Sequence, residues 1–280
     1  MIYLILGVLS SASLAIALRL GETFCRSRYG LLLGNYISCL LIAWILLPDK
    51  HLLPEGGMTA LAAGSFNGVI FLLNLIVMQQ SIQKNGAVLS TAFSKMGVLL
   101  PVLVSIFALG EKPTLLQIGG MILAAASILI LNLEKSGQKS SARLLLFAMF
   151  FLSGTADGMS KVFERIGERQ FDVLFLFYTF LVALIPTAVL AAAEKKRTGQ
   201  GMAALDLSIG LFAGIPNYFS CSLLLAAVTK LPAYIAYPCF NVGTILVVSV
   251  VSVLILKDRM SRRQVCGCGL ILAALVLLNI

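Results

Sequence analysis

Few residues in this chain have the chemistry to bind or react, and most of those few lie inside long apolar stretches. Lys95 sits near the middle of the apolar run 86–109, and Thr91, Ser94 and Lys95 share one helical face. An ammonium flanked by two hydroxyls suits an anionic group, a carboxylate or a phosphate. The competing reading is a structural ion pair. Asp157 lies in the run 144–162. A desolvated carboxylate is suited to exchanging protons near neutral pH, so Asp157 is the candidate for ion coupling. It could instead pair with Lys95, or make a weak i,i+4 pair with Lys161. A third group is a polar-aromatic stripe, Tyr234, Tyr237, Asn241 and Thr244, at spacings of three, four and three. Asn67 and Asn74 add polar positions in one run, and Asn217, Tyr218 and Ser220 in another. Ser10, Ser11, Ser13, Ser153 and Thr155 do the same in two more. A polar side chain in such a run faces a cavity or bonds a neighbouring helix, because lipid gives it no partner.

This inventory argues against an enzyme. The one histidine, His51, falls in a loop, and the six cysteines form no CxxC pair. No metal site, catalytic group or cofactor is therefore expected. Asp157 is the one carboxylate well inside a run, so paired carboxylates for metal or acid–base chemistry are missing. The GxxxxGK[ST] phosphate loop does not occur, so ATP is not the expected direct energy source.

The elements that hold these residues follow from composition. Of the 280 residues 59% are hydrophobic and 12% charged, where soluble domains average about 25% charged. Only a bilayer solvates so apolar a surface. Ten runs are long enough to cross one as helices: 2–18, 31–47, 58–80, 86–109, 115–133, 144–162, 173–193, 207–228, 233–256 and 264–280. They are unbroken, unlike the alternating ten-residue strands of a barrel. The breaks carry turn and charge signals, such as Pro48-Asp49-Lys50 and Gly110-Glu111-Lys112-Pro113. The first run has no basic residues before it, so no cleavable leader is expected. The net charge of +9 comes from Lys and Arg in these short loops, which fits lipid headgroups and not a nucleic-acid groove.

The chain also repeats itself. At an offset of 147, Gln117 pairs with Gln264, Gly120 with Gly267 and Leu123 with Leu270; Glu111-Lys112 faces Asp258-Arg259. At 146, Gly68 pairs with Gly214, Lys84 with Lys230 and Gly97 with Gly243. At 142, Arg19 pairs with Lys161, Glu22 with Glu164 and Tyr36 with Tyr178. The halves are 1–137 and 138–280, with five spans each. Five is odd, so the second half enters the membrane from the opposite side, the inverted repeat of secondary transporters. The expected fold is all-α integral membrane, with ten transmembrane helices as two inverted five-helix repeats. Gly120 with Ala124 and Gly269 with Ala273 read as close-packing surfaces.

The Gly110-Glu111-Lys112 turn with Gln117, Gly120 and Leu123, and its counterpart Asp258, Arg259, Gln264, Gly267 and Leu270, resembles the EamA-like members of the drug/metabolite transporter superfamily over nearly the whole chain. The resemblance implies a central cavity lined by the first, third and fourth helices of each half, with the fifth at the periphery. It implies transport of small metabolites or drugs without specifying which. A tryptophan near the end of helix 1, common in that family, is absent; Trp44, the one Trp, lies in helix 2.

The expected function is thus secondary active transport of a small polar or amphipathic metabolite by alternating access, with protons as the candidate coupling ion. A lipid-headgroup flippase on the same scaffold is the alternative, and an intramembrane enzyme a lesser one. Expected partners are a small-molecule substrate, the lipid bilayer and protons, with no nucleic acid, in a monomer or homodimer of the inner (plasma) membrane. Fourteen of the 21 Lys and Arg fall in loops 1–2, 3–4, 5–6, 7–8 and 9–10. The positive-inside rule then puts both termini outside the cytoplasm, whereas the resemblance implies both inside.

Overall fold

The computed structural model describes residues 1–48, 50–85, 93, 94, 96–108, 110–132, 143–198, 201–254 and 262–279. Thr91, Lys95 and Asp258 lie outside the described residues. The described chain forms helices α1 (Ile2–Phe24), α2 (Arg28–Leu46), α3 (Met58–Asn85), α4 (Leu99–Phe107), α5 (Leu115–Asn132), α6 (Arg143–Ile166), α7 (Asp172–Thr198), α8 (Ala204–Val228), α9 (Ala233–Leu254) and α10 (Arg262–Asn279). A short 3-10 turn, Arg169–Phe171, precedes α7. No strand occurs among the described residues. Among the described residues, five helical stretches suit a membrane crossing by length and composition: Arg28–Leu46, Met58–Met78, Arg169–Arg197, Ala204–Val228 and Ala233–Val251. The chain is a multi-pass helical membrane protein.

Several helices run past the apolar stretches that mark them. α1 continues from the expected end at 18 to Phe24, and α7 continues through Lys195, Lys196 and Arg197. Apolarity reports the lipid slab, whereas backbone hydrogen bonding carries a helix beyond it. Helix starts have local causes. Ser27 Oγ accepts from Gly30 N at 3.1 Å and caps α2. Thr114 Oγ1 accepts from Gln117 N at 3.3 Å while Gln117 Oε1 accepts from Thr114 N at 2.9 Å, a reciprocal capping box that starts α5. Ser261 and Gln264 have the same spacing at the start of the last run. Gln117 is thus a helix-start device.

Polarity is inverted relative to a soluble protein. Leu115 is 86% exposed, Phe107 82% and Leu144 81%, whereas Asn35, Asn67, Ser153, Thr179 and Lys161 are buried. The apolar exterior is the lipid face, and polar groups find partners inside.

Packing pairs α2 with α8, α3 with α7, α1 with α8, α3 with α6, α1 with α9, α4 with α6, α2 with α7 and α5 with α10. Glycines let backbones meet. A Cβ on Gly210 would lie 2.1 Å from Leu31 O, and one on Gly214 2.4 Å from Asn35 O. Likewise a Cβ on Gly64 would lie 2.5 Å from Phe175 O, and one on Gly68 2.7 Å from Thr179 O. These contacts seat α8 against α2 and α3 against α7. The Gly269–Ala273 expectation fails. Ala273 is exposed, and a Cβ on Gly269 would meet nothing within 4 Å. α10 turns Gly267, Ala274 and Leu278 inward, and Gly120 packs against Leu277 and Leu278.

Two clamps orient the helices. At the start of α8, Asp206 accepts from Arg26 N (2.9 Å), Ser27 N (3.1 Å) and Ala203 N (3.0 Å), which fixes the α1–α2 turn there. At the end of α8, Val228 O accepts from Lys161 Nζ of α6 at 3.4 Å. The C-terminal ends of α1 and α6 therefore lie at opposite ends of α8. Lys230 Nζ sits 4.7 Å from the Tyr3 ring centroid, so α1 begins at the Lys161 end. α10 finishes beside Gly120, near the start of α5, and so at the same end.

Candidate functional site

One face of α6 carries a polar seam. Ser153, Asp157 and Lys161 follow one another at i, i+4 and i+8, so they line one face over roughly 12 Å of helix. Each meets a different neighbour. Ser153 Oγ lies 2.7 Å from Ser94 Oγ and donates to Asn74 Oδ1 of α3 at 3.3 Å. The Asp157 carbonyl accepts from Tyr237 Oη of α9 at 2.8 Å. The Lys161 Nζ pairs with Glu111 at 3.3 Å and Glu164 at 3.0 Å. The expected Asp157–Lys161 pair does not form among the described residues, because Lys161 points along α6 toward Glu164 and the α4–α5 loop. Asp157 itself is half-buried.

The chain before α4 is shaped to reach this seam. Pro101 has no N–H to bond Gly97 O, and Leu100 N takes that carbonyl at 2.9 Å instead. Gly97 N in turn bonds Ser94 O at 3.1 Å, so the helix tightens here into i→i+3 turns. A Cβ on Gly97 would lie 2.7 Å from Gly154 N, and one on Gly154 2.4 Å from Gly97 O. The two glycines bring this segment against α6 and let Ser94 reach Ser153. An interrupted helix beside buried polar side chains is how transporter helices offer backbone and side-chain groups to a ligand.

The remaining sequence candidates divide. Asn217 Nδ2 donates to Asn35 Oδ1 at 2.7 Å, making a second polar node between α8 and α2; Cys39 Sγ adds a bond to Gly214 O at 3.2 Å. Tyr218 is 1% exposed and packs against Phe180, whose ring also meets Tyr36 and Phe71. The Tyr218 hydroxyl and the Oδ1 of buried Asn67 have no hydrogen-bond partner among the described residues. Tyr234 is buried. Asn241 Nδ2 donates to Tyr237 O at 3.2 Å and Thr244 Oγ1 to Phe240 O at 2.7 Å, so both bond within α9. The structure thus gathers Ser94, Asn74, Asp157 and Tyr237 along α6 and leaves Asn217 at the α2–α8 contact and Tyr218 against Phe180 of α7. Sequence reasoning missed Asn35, Lys161 as an ion-pair centre, and the anchoring of Glu111 and Asp206. The signals were present: an asparagine in the run 31–47, and acids beside helix starts. At the α1–α2 turn, burial and the nearby Asp206 carboxylate push the Cys25 thiol above its ordinary range.

A multi-pass helical bundle with lipid-facing apolar sides and an internal polar seam defines a membrane protein built to handle polar groups inside the bilayer. The chain belongs to the EamA-like transporter family, whose profile matches residues 141–280. A solved crystal structure is similar in fold, with a TM-score of 0.75 over 99% of this chain and 94% of that one, at 13% identity. No curated protein sequence gives a significant match.

Proposed function

We propose that the protein is a secondary active transporter of a small polar or amphipathic metabolite in the inner (plasma) membrane, working by alternating access. The observation that carries this reading is the α6 seam, where Ser153, Asp157 and Lys161 each touch a different helix or loop. Ser94, Asn74, Asp157 and Tyr237 form the substrate-binding part, with Lys95 and Thr91 added from sequence alone. Asp157 is the coupling carboxylate.

The ten helices are read as spans in two inverted halves, 1–137 and 138–280. Three observations support this. Exchanging each helix of one half with its counterpart turns the α2–α8 pair into α7–α3, α1–α8 into α6–α3 and α1–α9 into α6–α4, all of which pack. The C-terminal ends of α1 and α6 sit at opposite ends of α8. Both chain ends lie at the Lys161 end, as an even number of crossings requires. Two similar halves of opposite direction can exchange conformations around a shared site. In this reading the excess of Lys and Arg in loops 1–2, 3–4, 5–6, 7–8 and 9–10 supports a cytoplasmic side for the α1–α2 turn.

The test is reconstitution into liposomes with a panel of metabolites, with and without a pH gradient. Saturable flux that a pH gradient drives in the parent, and no longer drives in Asp157→Asn, is the expected result. The absence of saturable flux for every candidate overturns the reading, and pH-driven flux in the Asn variant removes the coupling role. A flippase is favoured by one feature. An apolar groove of about 410 Å³ between α4, α5 and α9, lined by Leu103, Ile106, Met121 and Pro238, suits the chemistry of an acyl chain. Transport of a labelled phospholipid headgroup in the same liposomes would select that reading.

A further inference from the structure

The inner part of the seam offers groups to a ligand, but its outer end is occupied by charges that already satisfy one another. Lys161 is buried, with its side chain 10% exposed, and bonds Glu111, Glu164 and Val228 O. Glu111 places its second oxygen, Oε2, 2.9 Å from Ala233 N at the start of α9. A single carboxylate therefore joins the α4–α5 loop to the cation of α6 and the N-terminus of α9. The signs also suit the helix dipoles, with an anion at the start of α9 and a cation at the end of α8.

We propose that Glu111 and Lys161 form a releasable clasp that closes the seam at the Lys161 end, and that opening this end requires Glu111 to leave Lys161. The proposal rests on the alternating-access reading above. Three features distinguish the clasp from a static support. It joins Glu111, from the first half, to Lys161, Val228 and Ala233, from the second. It lies one helical turn from Asp157, between that residue and the end of the bundle. Both partners keep a bond when they part. Glu164, at i+3 on the same helix, stays with Lys161, and Ala233 N stays with Glu111. A buried cation left with no partner would forbid the motion, and Glu164 removes that obstacle. By contrast, the Asp206 carboxylate at the other end of α8 bonds three backbone N–H groups, which hold one turn to one helix start and leave no partner to exchange.

Ala233 is 0% exposed behind the clasp, so a thiol introduced there by Ala233→Cys reports opening at this end. The full chain in nanodiscs, where both faces are accessible, is treated with a membrane-impermeant maleimide, and labelling of the peptide carrying position 233 is read by mass. Glu111→Gln and Lys161→Met should raise labelling about tenfold, as the open population grows. Lys161→Arg and Glu111→Asp should keep it near the parent level. Glu164→Gln removes the standby partner but leaves the clasp, so labelling should stay at or below the parent level while flux slows. Should Lys161→Met not fold, Glu111→Gln carries the test. Unchanged labelling in Glu111→Gln at unchanged thermal stability overturns the clasp. So does Glu164→Gln if it raises labelling as much as Glu111→Gln, because that is the signature of a merely structural charge cluster. Flux assays on the same variants separate the two claims. A labelling response without saturable flux of any metabolite removes the transport reading and leaves the clasp. Saturable flux without a labelling response removes the clasp alone.

Discussion

Adding one methyl group to α8 tests the helix pairing on which the site depends. Gly214→Ala places a Cβ 2.4 Å from Asn35 O and 2.5 Å from Ser38 Cβ, and Gly210→Ala places one 2.1 Å from Leu31 O. The obstructing atoms at both positions include backbone, which cannot swing aside. Ordinary contact begins at about 3.4 Å, so α2 and α8 must separate by about 1 Å or tilt, at a cost of about 1–3 kcal/mol. Separation also strains the Cys39–Gly214 and Asn217–Asn35 bonds. The matched pair on the other side, Gly64→Ala and Gly68→Ala, meets Phe175 O at 2.5 Å and Thr179 O at 2.7 Å, so the expected loss there is similar. Gly119→Ala and Gly269→Ala are the controls: each Cβ enters open space, and replacing a helical glycine there should stabilise by about 0.5–1 kcal/mol. Thermal unfolding of the purified protein in one detergent reads the difference. The four packed variants should melt several degrees below the parent, on the order of 3–10 °C, with the controls at or above it. Gly214→Ala melting with the Gly119→Ala control would refute the close approach of α2 and α8. A loss confined to the α8 pair would refute the equivalence of the two halves.

Other outcomes follow from single contacts. Asn35→Ala leaves the half-buried Asn217 amide without its acceptor and should cost about 1–3 kcal/mol, whereas replacing Asn35 and Asn217 together by Leu should cost less than the two single changes combined; a double-mutant cycle of melting data checks this. The Cys25 thiol, raised by burial and by Asp206, is almost wholly protonated at neutral pH. Its alkylation should therefore speed up about tenfold per pH unit from pH 7 to pH 9, and Asp206→Asn should accelerate it by removing the neighbouring negative charge, as read from the mass of the Cys25 peptide.

Much of the architecture was legible in the sequence because a bilayer imposes a one-dimensional signal. Apolar runs and charged breaks gave the number and order of the helices, since lipid tolerates little else across its thickness. The ends were less legible: Arg19, Glu22 and Lys195–Arg197 stay helical where the apolar signal stops. Polar residues in the runs marked inward faces: Ser94 and Asn74 bond Ser153 of α6, and Tyr237 bonds the Asp157 carbonyl. The same signal could not separate them from Asn217, which bonds Asn35 of α2, or Tyr218, which packs on Phe180 of α7, because polarity marks an inward face without saying which helix lies opposite.

By itself the sequence determined that the chain lives in a membrane and pointed to its family, which the profile over residues 141–280 shows. Periodicity and composition carry those facts, and they need no knowledge of which helices touch. Only the tertiary structure decided that Gly210 and Gly214 face α2 while Gly269 faces open space, and that Lys161 pairs with Glu111 and not with Asp157. The partner of a buried charge is whichever group the packing brings within about 4 Å, and that distance exists only once the helices have docked.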